Sequence, residues 1–131
     1  MTQYRYEDLI DIVTKRYFHG VDTKNMDMVL GCFTEDATVQ EVTSNTLHVG
    51  RDGGIRRMFE TLFTNFGRNW HGNFVHTVDT EAGAVCSQFS VEIVPARGGA
   101  MQRYENCNRF YLHDGKFAQV FVYMSGPNLL V

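Results

Sequence analysis

A chain of 131 residues with 44% apolar and 21% charged side chains can bury one ordinary globular core without disulfide staples. A formal charge of −3 with no basic stripe argues against nucleic-acid binding, and no apolar run is long enough to span a bilayer. Cys32, Cys86 and Cys107 form no Cys-x-x-Cys motif and read as buried thiols in a reducing cytoplasm.

Tyr6, Leu9, Ile10, Val13, Tyr17 and Val21 recur at steps of three and four, the apolar stripe of an amphipathic helix. Gly20 and Asp22-Thr23 end it. Asn25 is a suitable N-cap for a second, short helix carrying Met26, Val29, Leu30 and Phe33. Ala37 to Val42 reads as a strand whose period of two puts Glu41 beside Val39, a carboxylate on an apolar face. Thr43 to Gly54 is rich in turn residues. Ile55, Met58, Phe59, Leu62, Phe63 and Phe66 then mark a third helix, with Gly67 as its expected stop.

After Arg68 the period becomes two. Trp70, Phe74, His76 and Val78 fall on one face, and His71, Asn73 and Thr77 on the other. His48 and His71 read as loop or solvent-side residues. The next strand carries Val85, Phe89, Val91 and Ile93 on one face, a row expected to serve as a dimer surface. Met101 to Leu112 forms a strand with Tyr104, Asn106, Asn108 and Phe110 on one face. His113-Asp114-Gly115 is a hairpin turn, and Phe117 to Met124 is the last strand. Three helices followed by a run of strands argue for a single α+β domain over 1–131, with the helices on one face of a mainly antiparallel sheet.

Several residues stand out chemically. Glu41 on an apolar face suits a general base, because desolvation raises a carboxyl toward neutrality. Against that, a frayed strand end would leave it in water or paired with Arg51. Tyr17 on the helix stripe is either a core tyrosine or a hydrogen-bond donor in a pocket. Asn106 and Asn108 are amides on an otherwise apolar face and need partners there. His76 is either a packed core histidine or the acid of a Glu-His relay. Aromatic and polar residues that would line a pocket are Phe59, Phe63, Trp70, Tyr104, Asn106 and Phe110. His71 and His76 point to opposite faces on this reading, so no metal is expected, and no phosphate-cradling glycine loop is present.

Arg16-Tyr17, Asn25-Met26-Asp27 and Phe33-Thr34-Glu35-Asp36-Ala37-Thr38-Val39 resemble the corresponding segment of bacterial ketosteroid isomerase, a member of the nuclear transport factor 2-like superfamily. Gly50-Arg51-Asp52-Gly53 to Phe59 resembles the same family's entry to its third helix. The resemblance implies three helices packed on a strongly curved sheet, a cone-shaped barrel with a deep apolar pocket, and SnoaL-like or ketosteroid isomerase-like chemistry. It places Tyr17 at the oxygen-binding tyrosine, Glu41 at the general base and Asn108 near the second oxyanion donor. Glu replaces an Asp at the base, and Asn replaces the second acid. The implied activity is cofactor-independent isomerisation, dehydration or lyase chemistry on a small hydrophobic cyclic or aromatic molecule. A wide curved sheet with an exposed face is a ready dimer surface, so a homodimer through the sheet is expected as well. The alternative is a non-catalytic ligand-binding or dimeric interaction module.

Overall fold

A computed structural model describes residues 3–131. The first helix has three stretches: α-helical Tyr6–Asp11, a wider π-helical Ile12–Phe18, and α-helical His19–Asp22. Its stripe buries Leu9, Val13, Tyr17 and Val21 as the periodicity predicts. The second helix is Met26–Leu30, and the Asn25 side chain accepts from Met28 N at 3.1 Å as its cap. The third begins with a wide π-helical turn, Gly50–Ile55, and continues as Arg56–Asn65. It stops before the expected glycine, because Phe66 is already extended and Gly67 lies inside the following strand. No helix among the described residues is long and apolar enough to cross a membrane.

Six strands follow the order of the chain: β1 (Phe33–Glu41), β2 (Thr46–Val49), β3 (Phe66–Asp79), β4 (Ala84–Pro95), β5 (Gln102–His113) and β6 (Lys116–Met124). They form one mixed sheet, ordered β2-β1-β6-β5-β4-β3. The β1–β6 pair is parallel and every other pair is antiparallel. The architecture is the expected α+β one, but the sheet stays open, with β2 and β3 as its edges rather than closing into a barrel. The expected hairpin turn sits between β5 and β6, where Asp114 and Gly115 both take positive φ (49° and 79°), as a two-residue turn of this hand requires.

The helices cover one face of the sheet. Tyr17 sits at the hub of the core, with ring centroids 4.8–6.1 Å from Phe18, Phe33, Phe59, Phe110 and Phe117. Val85, Phe89, Val91 and Ile93 all lie in this core, so the row expected to form a dimer surface is covered by the helices. The opposite face carries Cys86, Gln88, Glu105, Cys107 and Tyr123.

One irregularity decides where β3 points its side chains. The β3–β4 register shifts between Gly72 and Val75, and Asn73 takes φ 54°. This bulge inverts the alternation. Upstream of it, Asn69 and His71 face the helices while Trp70 faces outward, its indole lying over Gly72. Downstream, Phe74 and His76 face the helices.

Candidate active site

A cavity lies between the first and third helices, the inner faces of β3 to β6, and the segment after β6 that carries Leu129 and Leu130. It is narrow, about 40 Å³, within about 450 Å³ of loosely filled space that includes its mouth. A ring-sized guest enters only if side chains or the segment holding Leu129 and Leu130 give way. That segment is tied down by the Leu130 carbonyl, which lies 2.8 Å from His48 Nε2.

One residue of its wall, His71, is bonded to Asp22 behind it. His71 Nδ1 lies 2.6 Å from Asp22 Oδ1, and the His71 backbone N–H donates to Asp22 Oδ2 at 3.1 Å. The carboxylate thus grips both ring and backbone across 49 residues of sequence. An ionised carboxylate only accepts, so a hydrogen sits on Nδ1, and in the neutral imidazole that tautomer leaves the lone pair on Nε2. Phe18 and Phe89 pack against the imidazole at centroid distances of 4.8 and 5.5 Å, which fixes its plane. Asp22 is placed by the C-terminal end of the first helix, and His71 is turned inward by the bulge that follows it. Alternation read straight through the strand hides this pair. The Gly72-Asn73 dipeptide is the signal that exposes it, since both residues favour bulges and left-handed backbone.

Tyr17 borders the same cavity, and burial pushes its phenol far above the ordinary range. It therefore stays protonated, so its hydroxyl keeps a hydrogen to donate. Asn69, Asn106 and Asn108 bring three buried amides to the wall. Asn106 Oδ1 accepts from Ser125 N at 3.2 Å and is committed to holding the end of β6. Asn69 Nδ2 and Asn108 Oδ1 are buried without a partner.

Glu41 is fully buried on the inner face but is not on the cavity wall. Its carboxylate folds back onto the turn between β1 and β2. There it accepts from Thr43 N at 2.8 Å, Thr43 Oγ1 at 2.6 Å and Ser44 N at 3.1 Å. Burial alone would raise this carboxyl, but the bonds from Thr43 and Ser44 outweigh it and hold it below the usual carboxylate range. The unfolded chain returns it to its ordinary value, about 4.3. A depressed folded value stabilises the protein above that pH, and the contribution drains away as pH falls through it. Glu41→Gln is therefore expected to flatten the pH dependence of urea stability below about pH 5, and to lower stability at neutral pH by about 1–3 kcal/mol. Parallel pH profiles for the two proteins would reject this brace.

Of the other residues singled out from sequence, Phe59 borders the cavity. His76 does not; its Nδ1 lies 2.8 Å from Ser87 Oγ, its ring stacks on Phe74, and burial lowers its pKa. Phe110 lies beneath Tyr17 in the core, and Phe63 packs beside Phe59. Tyr104 lies over Gly126 and donates to Gln102 Oε1 at 3.2 Å. Trp70 is on the far side of the sheet for the reason given above. His48 belongs to β2, a strand hidden within the turn-rich segment. Among the described residues, no group of three His, Cys, Asp or Glu side chains is placed to hold a metal.

The fold, with its cavity between helices and sheet, matches a known family. Residues 14–120 match the SnoaL-like domain, and the chain belongs to that family. No curated protein matches it in sequence. Among solved structures it is similar to SalBIII, described as an epoxide hydrolase/cyclase-like enzyme in pyran ring formation in the polyether salinomycin. The identity is 20% and the TM-score 0.78, over 91% of this chain and 92% of that one. A candidate polyketide cyclase from Pseudomonas putida KT2440 is 17% identical with a TM-score of 0.78, over 88% and 90% of the two chains. PrhC from Penicillium brasilianum is 15% identical with a TM-score of 0.78, over 91% and 81%.

Proposed function

We propose that this protein is a cofactor-independent enzyme of the isomerase or cyclase type, which moves a proton on a small, largely apolar carbonyl or hydroxyl compound. The observation that carries the reading is His71 on the wall of a largely apolar cavity, its ring bonded to Asp22 at 2.6 Å. In this reading His71 Nε2 takes the proton. Asp22 holds the ring in the productive tautomer and stabilises the imidazolium that forms. Tyr17, kept protonated by burial, donates to the oxygen on which charge develops, and the Asn108 amide supports it. Apolar walls keep bulk water from competing for the charge.

The resemblance assigns the base to Glu41. Its carboxylate would have to release three hydrogen bonds and leave the hairpin turn before reaching a substrate. We therefore assign the base to His71 and leave Glu41 the turn. The names of the SnoaL-like neighbours, cyclases among them, are consistent with proton transfer on ring-forming substrates.

The test is hydrogen exchange. The protein is incubated in D₂O with a panel of cyclic ketones, hydroxyketones and epoxides, and deuterium incorporation or ring closure is followed by NMR. Protein-dependent reaction of at least one panel member is expected. Binding without reaction across the whole panel selects the non-catalytic binding module instead.

A further inference from the structure

We infer that residues 125–131 form a hinged strap whose latch to the β1–β2 hairpin controls access to the cavity, with His48 as the latching residue. The inference deepens the reading of this cavity as the substrate site.

Two kinds of chain build the cavity wall. Every lining residue except Leu129 and Leu130 lies in a helix or a strand. Moving one of those elements breaks ladder or helix hydrogen bonds and disturbs the aromatic core. Leu129 and Leu130 follow the last strand, outside every regular element. Among the described residues, the backbone of 125–131 makes no hydrogen bond to another backbone group. No residue of β1 or β2 lines the cavity, and the two leucines stand between it and that hairpin.

Side chains hold the strap at two places. At its start Ser125 N donates to Asn106 Oδ1 at 3.2 Å, and Ser125 Oγ accepts from Glu105 N at 3.1 Å. The Tyr104 ring lies so close over Gly126 that it leaves no room for a Cβ there. This end is the hinge. At the other end Asn128 Nδ2 donates to Ser44 Oγ at 3.0 Å and lies 3.4 Å from Thr46 Oγ1. Leu130 N donates to Asn128 Oδ1 at 2.8 Å, which fixes the orientation of that amide. The Leu130 carbonyl lies 2.8 Å from His48 Nε2. A carbonyl only accepts, so Nε2 carries the hydrogen. Thr46 and His48 share one face of β2, two residues apart, so the latch groups form a row along the hairpin.

Local opening follows the route that breaks the fewest contacts. Releasing the latch gives up the His48 and Asn128 bonds and uncovers two leucines, while the sheet and the aromatic core stay whole. Closed, the cavity is about 40 Å³, little more than one water's share of the liquid, roughly 30 Å³. With the leucines swung out on the Ser125-Gly126 hinge, the rigid walls are left in place and the space between them is open to a ring.

The experiment reads access on the protein without any ligand. A reporter thiol is placed on the β4 wall by Val91→Cys, or on the third-helix wall by Leu62→Cys. It is labelled with dithiodipyridine, an uncharged aromatic disulfide with ring-sized halves. Native Cys32 is 1% exposed, beside the second helix and off the cavity wall, so its labelling reports global unfolding. Peptide mass spectrometry reads each cysteine separately. His48→Ala is expected to speed labelling of the reporter by roughly 3–10-fold, the worth of one hydrogen bond, with no change at Cys32. His48→Gln keeps an N–H donor and should label more slowly than His48→Ala. Reporter rates that ignore His48→Ala overturn the inference, and so does a rise at Cys32 in step with the reporter. The labelling needs no substrate, so failure of the substrate-site reading leaves this result standing. A rate independent of the latch does the reverse: it removes the strap and leaves the role of His71 untouched.

Discussion

Replacing Phe110 with alanine is expected to lower the free energy of unfolding by about 3–5 kcal/mol. Phe110 is fully buried on β5, paired with Val85 on one side and Val120 on the other. Its ring lies 4.6 Å from Phe117, 5.6 Å from Tyr17 and 6.1 Å from Phe18, centroid to centroid. Alanine would lose the transfer free energy of the ring and leave a void at the point where the first helix meets the sheet. Domains of this size are stable by about 5–15 kcal/mol, so one substitution would remove a large share of the total. Phe110→Leu keeps most of the volume and should cost less than about 2 kcal/mol. Urea unfolding followed by far-UV circular dichroism measures both. An alanine cost under about 1.5 kcal/mol would mean that the aromatic cluster collapses to fill the space, and that Tyr17 is held by other contacts.

His71→Asn is expected to reduce kcat/KM by about 10²–10⁴-fold on whatever substrate the exchange panel identifies. Asparagine keeps polarity and approximate size, and its amide can still reach Asp22, but it has no ring nitrogen to accept a proton. Asp22→Asn should cost less, since the imidazole remains and only its tautomer and orientation are loosened. The same variants separate chemistry from packing. If the pair acts in catalysis, kcat collapses while KM changes little. If it only pins β3 to the first helix, the melting temperature falls and turnover of the folded fraction survives. A fall below about 10-fold for His71→Asn would remove His71 as the base.

The parts of this protein that were legible in its sequence are those governed by unbroken periodicity. The stripe from Leu9 to Val21, the third-helix stripe from Ile55 to Leu62 and the Asp114-Gly115 turn stand where spacing put them. Asn25 caps its helix as its side-chain chemistry requires. The site was less legible, because three local events broke the periodicity. The bulge at Asn73 exchanged the faces of His71 and Trp70, sending the imidazole inward and the indole outward. Thr43 and Ser44, two and three residues after Glu41, captured its carboxylate, and no alternation rule sees a side chain that folds onto the turn ending its own strand. The contact of Asp22 with His71 spans 49 residues and depends on the position of the first helix, which residue spacing does not encode. Glu41 illustrates the general difficulty. Alternation places it on a face with Val39 and leaves burial or a frayed, wet strand end open; the structure buries it, where burial alone raises a carboxyl and the donors of Thr43 and Ser44 lower it, and only coordinates reveal which effect prevails.

The parallel pairing of β1 with β6 has a consequence for biosynthesis. Phe33 lies opposite Phe117, 84 residues later (117 − 33), whereas β3, β4 and β5 pair with near neighbours in the chain. On the ribosome the β3–β4–β5 meander can assemble as it emerges and receive the first helix, but the β1–β2 pair has no strand of that sheet to join until β6 has left the exit tunnel. Contacts of such long range slow folding, because the loop must close before any bond rewards it. The nascent chain therefore carries the apolar face of β1, with Phe33, Ala37 and Val39, without its strand partner until the last strand is made, and unpaired strand edges of this kind favour aggregation.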